Sequence, residues 1–153
     1  MPRKKKKKEE SKKKVKLDYI IVTGKRKTAI ARAKVEKGSG RVIINSKPLE
    51  VWGTEVARMF VAEPLYLAGD AAKKLDFYVN VRGGGVFGQA EAIRMAIAKG
   101  IVEFTRDEKL KQKFLEYDRN LLVFDPRRNE PHHASGRGAS KRGSRRHRQR
   151  SKR

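Results

Sequence analysis

Two segments of the chain alternate apolar and polar residues with a period of two, which is typical of strands with one buried face. In residues 29–36 one face holds Ala and Val, and the other holds Ile30, Arg32, Lys34 and Glu36. Residues 75–82 show the same alternation. Two apolar β-branched runs, 19–23 and 41–46, predict two more strands. A turn signal at 37–40 predicts that 29–46 forms a hairpin with a basic exposed face.

Apolar residues at helical spacing predict a long helix over residues 86–104. Its inner stripe would contain Val86, Ala90, Ile93, Ile97, Ile101 and Phe104. Gly100 lies inside this helix and should cost about 1 kcal/mol relative to Ala. Two shorter helices are expected before it. Thr54 would cap the first, with Val56, Met59 and Phe60 facing inwards, and Pro64 and Gly69 would begin and end the second.

The pattern Thr105-Arg-Asp-Glu108 has the form of a capping box and predicts a last helix. The inner face of this helix would contain Leu110, Phe114 and Tyr117. An apolar segment, 121–124, follows before Asp125-Pro126. The order β-β-β-α-α-β-α-α predicts an α+β fold, a two-layer sandwich with a four-stranded mixed sheet and helices on one face.

The charge of the chain is concentrated at its two ends. The 153 residues have a formal net charge of +23. Residues 1–16 contain ten basic and two acidic residues, and residues 126–153 contain eleven and one. The segment between them, 17–125, has 19 basic and 14 acidic residues, a net charge of only +5. We therefore expect a globular domain over 17–125, a disordered Lys-rich arm over 1–16, and an extended basic tail over 126–153.

Composition also limits the classes of function. The chain has no Cys, so disulfide and thiolate chemistry are excluded. It has no apolar run of membrane-spanning length, and its N-terminus lacks the apolar segment of a signal peptide. No constellation of catalytic side chains is evident in the globular segment, so no enzymatic activity is expected. His132 and His133 stand beside Glu130, but a flexible tail does not preorganise a metal site, and we expect neither a metal nor a cofactor.

The tail indicates binding to a polyanion. Its last 23 residues, 131–153, include nine Lys or Arg and no acidic residue. Such a segment has too little apolar surface to fold alone, and phosphates would neutralise its charge. A role in solubility or attraction to a membrane surface is the alternative. We expect RNA contacts from Arg127, Arg128, Arg137, Lys141, Arg142, Arg145, Arg146 and Arg148.

Two motifs in the globular segment suggest phosphate binding. Gly24-Lys-Arg-Lys-Thr28 is either a solvated basic loop or a phosphate clamp formed by Lys25, Arg26 and Lys27 and extended by Arg32, Lys34 and Arg41. Gly83-Gly-Gly-Val-Phe-Gly88 follows a strand and precedes a helix. Its glycines, Gly83, Gly84 and Gly85, are compatible with a tight turn, an RNA phosphate or a small nucleotide. The motif lacks both the Walker A ending and the dinucleotide-binding spacing.

Several ordered segments resemble the universal S-nine family of small-subunit ribosomal proteins. They are 24–32, 40–45, 83–94, 118–128 and 151–153, so the resemblance covers about residues 18–153. The segments at 117–119 and 125–128 resemble the archaeal and eukaryotic branch, whereas the ending Ser-Lys-Arg resembles the bacterial form. We expect the archaeal type.

The resemblance implies a ribosomal S-five domain-two-like fold with a left-handed β-α-β crossover. It implies a cytoplasmic protein in the head of the small ribosomal subunit, bound to ribosomal RNA and neighbouring head proteins. It also implies that the tail contacts the anticodon stem-loop of peptidyl-site tRNA through Lys152 and Arg153, assisted by Arg150. The competing classes are a small-molecule kinase, in which the glycine loop holds a nucleotide, and a DNA-compacting protein.

Overall fold

The computed structural model describes residues 19–128. The arm predicted over 1–16 and all but the first three residues of the tail predicted over 126–153 lie outside this range. The described elements are β1 Tyr19–Arg26, β2 Ala29–Lys37, β3 Val42–Ile44, β4 Lys47–Pro48, α1 Glu55–Ala68, α2 Asp70–Lys73, β5 Leu75–Arg82, α3 Val86–Thr105 and α4 Glu108–Tyr117. Two short 3-10 turns, Leu49–Val51 and Arg119–Leu121, complete the set.

The strands form one mixed sheet in the order β1-β2-β5-β3-β4. Strands β1 and β2 are an antiparallel hairpin, and β2 pairs antiparallel with β5. Strand β3 runs parallel to β5, and β4 is antiparallel to β3. The α+β class and the mixed sheet are therefore confirmed, but the sheet has five strands rather than the predicted four, because the two-residue β4 is too short to give a periodic signal.

The predicted hairpin over residues 29–46 is wrong. Strand β5 lies between β2 and β3, so these two strands do not pair. The Asp76 carboxylate near the start of β5 holds the connection between β2 and β3 in place, since Oδ1 accepts hydrogen bonds from the backbone N–H groups of Ser39 (2.7 Å) and Arg41 (2.9 Å). The turn at 38–40 therefore wraps around β5. Sequence periodicity predicts a strand but not its non-local partner.

The hydrophobic core lies between one face of the sheet and helices α1 and α3. The inner face of β2 is built from the fully buried Ala29, Ala31, Ala33 and Val35. The predicted stripe of α3 is buried at its centre, although Val86 at its start is 45% exposed. The small side chains on the inner face of the sheet let α3 pack close to the strands. An added Cβ at Gly24 would lie 2.0 Å from the Ala92 carbonyl oxygen, so this close approach requires glycine.

Two helix predictions are wrong in detail. Helix α1 is continuous, and Pro64 lies inside it rather than opening a second helix. Its buried residues are Ala57, Val61 and Pro64, whereas Val56 and Met59 are 51% and 60% exposed. The face of α1 that was predicted to be buried therefore differs from the face that is buried. Apolar residues on both sides of the helix do not define a single inner face.

The predicted capping box is also wrong. Thr105 ends α3, and Asp107 caps α4 by accepting a 2.9 Å hydrogen bond from the Lys109 N–H. Leu110 and Phe114 are buried as predicted, but Tyr117 is exposed.

Candidate RNA interface

The tertiary structure brings the two predicted phosphate motifs together at one end of the sheet. Only Lys27 and Thr28 form the turn between β1 and β2, because Gly24, Lys25 and Arg26 belong to β1. In the register of β2 with β5, Ile30 is opposite Arg82, so the β1–β2 turn adjoins the glycines that follow β5. An added Cβ at Gly83 would lie 2.6 Å from the Thr28 carbonyl oxygen.

These glycines also have a structural role. Gly83 and Gly84 have φ angles of 77° and 69°, in the left-handed region that favours glycine. An added Cβ at Gly84 would lie 3.0 Å from the Ala29 side chain. The tight-turn interpretation is thus supported by the geometry, and it is compatible with phosphate binding at the same place.

The first turn of α3 is suited to an anion. Gly85 occupies the N-cap position, where it offers no side-chain acceptor to the free backbone N–H groups, and the first turn contains no acidic residue. A cavity of about 280 Å³ opens here. We call it the glycine cradle; its lining residues are Arg26, Lys27, Thr28, Gly84, Gly85, Val86, Phe87, Gly88 and Glu91. Helix N–H groups and a lysine together favour a phosphate oxygen.

A second cavity, of about 440 Å³, lies on the exposed face of the sheet. We call it the basic groove; its lining residues are Thr28, Ile30, Arg32, Asn80, Arg82 and Gly83. Arg32 is opposite Asn80 in the register, so the Arg32 and Arg82 side chains are diagonal neighbours on the same face. Thr28 lines both the basic groove and the glycine cradle, which makes the two surfaces continuous.

Lys34 lies further along the same face of the sheet. Its Nζ is 2.6 Å from the Glu36 carboxylate and 4.9 Å from the centroid of the Tyr19 ring. The hydrogen bond to Glu36 raises the pKa of Lys34 above its ordinary value. Lys34 is therefore a partly exposed cation near the rings of Tyr19 and Tyr78, although part of its charge is neutralised by Glu36.

Arg26 has a different environment from the rest of the predicted clamp. Its side chain is 21% exposed and forms ion pairs with Glu91 and with the buried Asp125. Asp125 also accepts hydrogen bonds from the Arg127 backbone N–H (2.9 Å) and guanidinium Nη2 (2.7 Å). Arg26 thus anchors the point where the chain leaves the domain, and its charge is already balanced by two carboxylates.

Arg41 lies at the other end of the sheet from the basic groove. It precedes β3 beside Asp76, whereas Arg82 ends β5 six residues later, at a distance of about 20 Å along the strand. The hydrogen bond from the Arg41 backbone N–H lowers the pKa of Asp76, which is only 8% exposed. The structure therefore does not bring Arg41 together with Arg32 and Lys34.

Lys25 and Arg128 belong to another basic cluster, at the edge of β1. They line a cavity of about 260 Å³ together with Thr23, Met95, Lys99 and Phe124. The Arg128 guanidinium carbon lies 5.2 Å from the centroid of the Phe124 ring. The beginning of the tail therefore adds cationic side chains to the edge of the domain.

Four residues that line the basic groove, the glycine cradle and the cavity at the edge of β1 were not among the residues predicted from the sequence: Asn80, Arg82, Phe87 and Lys99. The alternation in residues 75–82 had already placed Asn80 and Arg82 on the exposed face. Their proximity to Arg32 depends on the pairing of β2 with β5, which has no local signal in the sequence. Phe87 is 56% exposed at the start of α3, although an aromatic residue in a helix ordinarily suggests the core.

The remaining predicted contacts, Arg137 to Arg153, and all three His residues lie outside residues 19–128. Within 19–128, no group of three acidic or His side chains is placed to hold a metal ion. In the same range, none of the helices has both the length and the apolar character needed to span a bilayer.

Comparison with known proteins identifies the class of this chain, which is a ribosomal protein. The model of the family described as ribosomal protein S9/S16 matches residues 24–153. The chain is 53% identical to the small ribosomal subunit protein uS9 of Thermoplasma volcanium over 123 residues, which cover 80% of this chain and 93% of the relative. It is 52% identical to the protein of the same name from Desulfurococcus amylolyticus over 116 residues, covering 76% and 83%.

The chain therefore belongs to the ribosomal protein S9/S16 family, and these relatives support the archaeal type. A third relative, uS9 of Picrophilus torridus, is 49% identical over 122 residues. Membership in this family makes the chain a structural protein of the ribosome in the cytoplasm, with ribosomal RNA and other ribosomal proteins as partners. It also confirms the expectation that the chain is not an enzyme, and it disfavours the kinase and DNA-compacting alternatives.

Proposed function

We propose that this chain is a structural constituent of the small ribosomal subunit that holds ribosomal RNA of the head against the basic groove and the glycine cradle. The continuity of these two cavities through Thr28 is the observation that supports the proposal most directly. The names of the relatives, each a small ribosomal subunit protein, support the assignment to this subunit.

The proposed contacts act on the RNA backbone. The guanidinium groups of Arg32 and Arg82 present forked donors that match phosphate oxygens, and Lys27 adds a cation at the cradle. Such contacts position the protein on folded RNA but do not distinguish base sequences. The predicted contacts of Lys25, Arg127 and Arg128 would extend the interface to the edge of β1, and Arg41 would meet a separate RNA segment.

A salt titration of the full-length protein with an RNA fragment from the subunit head tests this proposal. If about six phosphates are contacted, raising salt from 50 to 200 mM should weaken binding on the order of a thousandfold. Replacing both Arg32 and Arg82 with Gln should reduce the slope of the logarithm of affinity against the logarithm of salt by about 2.

The matched control replaces Lys109 and Lys111 with Gln, which removes the same charge from the exposed side of α4. Its salt slope should stay close to that of the unmodified protein. Equal loss of affinity in the two double variants would show that only total charge matters, and would refute the basic groove as the interface.

We further propose that the tail reaches the anticodon stem-loop of peptidyl-site tRNA through Arg150, Lys152 and Arg153. When fully extended, the 23 residues from 131 to 153 can span at most about 75 Å. This length is several times the gyration radius of a domain of about 100 residues, which is about 13 Å. The contacts among Arg26, Asp125 and Arg127 would fix the start of this reach. Deleting residues 151–153 should weaken tRNA retention by assembled subunits while leaving assembly intact. Unchanged tRNA affinity would disprove these assignments.

We propose that the chain is divided as the sequence predicts. A disordered Lys-rich arm over 1–16 precedes a globular RNA-binding domain over 17–125, and an extended basic tail over 126–153 follows it. We also propose the S-five domain-two-like topology with a left-handed connection between the parallel strands β3 and β5. The parallel pairing of these strands, joined through α1, is compatible with such a crossover.

A further inference from the structure

The outer side of α1 presents a stripe of large apolar side chains. Met59 and Tyr66 are 60% and 82% exposed, and Val51, in the turn before the helix, is 68% exposed. Glu55, Met59, Ala62 and Tyr66 are spaced by four, three and four residues, so they lie along one face of the helix. The opposite face of α1 already packs in the core through Ala57 and Val61. Among residues 19–128, the exposed side chains of Met59 and Tyr66 therefore contribute little to the packing of the domain.

This stripe forms one wall of a cavity of about 530 Å³ whose charge differs from that of the rest of the molecule. The cavity, which we call the α1 groove, is lined by Leu49, Glu50, Glu55, Arg58, Met59, Ala62, Glu63 and Tyr66. It contains three carboxylates and one guanidinium in a chain whose net charge is +23. Among residues 19–128, Glu63 pairs with Arg94 at 2.6 Å, whereas Glu50 and Glu55 have no ion-pair partner.

The charge and the apolar stripe together indicate the kind of partner. Carboxylates repel an RNA backbone, so this face does not suit ribosomal RNA. An exposed Tyr and Met surrounded by polar residues are typical of the centre of a protein–protein interface. Acidic residues at its rim would attract a cationic segment and fix its orientation.

We propose that the α1 groove binds a Lys- and Arg-rich segment of another ribosomal protein, with an apolar side chain of that segment packed between Met59 and Tyr66. This inference rests on the proposed function, because the partner is met only in the assembled subunit. It gives the molecule two opposed interfaces, one basic and facing RNA, the other acidic and apolar and facing protein.

A photo-crosslinking experiment in assembled small subunits tests the inference. The full-length chain would contain p-benzoylphenylalanine in place of Tyr66, and a second preparation would contain it in place of Ile30, which is 44% exposed in the basic groove. We expect the Tyr66 probe to cross-link to a Lys- and Arg-rich peptide of another ribosomal protein, identified by mass spectrometry. We expect the Ile30 probe to cross-link to ribosomal RNA.

Different failures refute different proposals. A Tyr66 probe that reacts with RNA, with residues 1–18 of this chain or with nothing overturns the α1 groove as a protein-binding surface, provided that the Ile30 probe reacts with RNA. An Ile30 probe that fails to reach RNA while the Tyr66 probe reacts with a protein contradicts the basic groove alone. Absence of the chain from small subunits contradicts both proposals.

A charge reversal separates binding from folding. Glu55→Lys should lower the yield of the Tyr66 cross-link about tenfold, since the cationic partner would face a like charge. Glu108→Lys is the matched control, because Glu108 occupies the same first-turn position in α4 but lies outside the groove. Both changes weaken a helix start similarly. Equal cross-link yields in the two variants would refute the electrostatic part of the inference.

Discussion

Replacing Gly24 with Ala should separate the long helix from the sheet. The new Cβ would lie 2.0 Å from the Ala92 carbonyl oxygen and 2.7 Å from the Ala96 nitrogen, and both atoms belong to the backbone of α3. Ordinary contact begins at 3.4 Å, so the helix would have to retreat by about 1.4 Å from β1. No side-chain rotation can relieve a clash with backbone atoms.

The size of the effect follows from this geometry. Overpacking costs typically about 1–3 kcal/mol, and we expect about 3 kcal/mol because the clash loosens the packing of α3 on β1, which is one of the two most extensive contacts between elements of the domain. A small domain has a total unfolding free energy of about 5–15 kcal/mol. Circular dichroism of the full-length protein in urea would measure the change. With a slope of about 1–3 kcal/mol per molar, the unfolding midpoint should fall by about 1–3 M.

Gly100→Ala is the comparison that tests the reasoning. Its new Cβ would lie 2.7 Å from Cγ2 of the buried Val35 and 3.4 Å from Cγ2 of Val22, so it meets side chains rather than backbone, although Val35 must still move. Alanine favours the helix by about 1 kcal/mol, which offsets part of an overpacking cost of about 1–3 kcal/mol. We therefore expect a net loss of about 0–2 kcal/mol, smaller than that of Gly24→Ala. If Gly24→Ala destabilises the protein no more than Gly100→Ala, the argument from backbone contact is wrong.

Three further changes test other parts of the structure. Asp76→Asn should destabilise the protein by about 1–3 kcal/mol at pH 7. The pKa of Asp76 is lowered below 3.8 in the folded state, so its stabilising effect is complete above that pH and is lost as the pH falls through the folded pKa. The variant should therefore lose less stability than the unmodified protein in urea unfolding between pH 5 and about pH 3, and equal losses would contradict this role. Arg94→Met should cost about 1–3 kcal/mol in the same assay, because Glu63 and Asp118 lose their shared partner, and a neutral result would show that the pairs contribute nothing. Thr54→Ala should lower the unfolding free energy by about 1 kcal/mol, since it removes the side-chain cap of α1, and an unchanged midpoint would refute the cap.

Local patterns in the sequence predicted the elements that have a single strong period. The sequences of strands β2 and β5 alternate apolar and polar residues, and α3 has an apolar stripe that is buried at its centre, so the existence and main inner faces of these elements followed from residue order. The boundaries and faces of α1 could not be predicted, because its outer side is apolar too. That excess of apolar residues is the feature from which we infer a protein partner.

The sequence by itself determined the separation of charge, the basic character of the strand face containing Arg32, and the resemblance to a ribosomal family. Only the tertiary structure decided which elements are neighbours: β5 lies between β2 and β3, and the triple glycine meets the β1–β2 turn. The tertiary structure also places Arg26 in ion pairs with Glu91 and Asp125, which lie 65 and 99 residues away in the chain. The physical reason is that periodicity reflects which side of an element is buried, whereas strand pairing and ion pairs depend on contacts between distant segments.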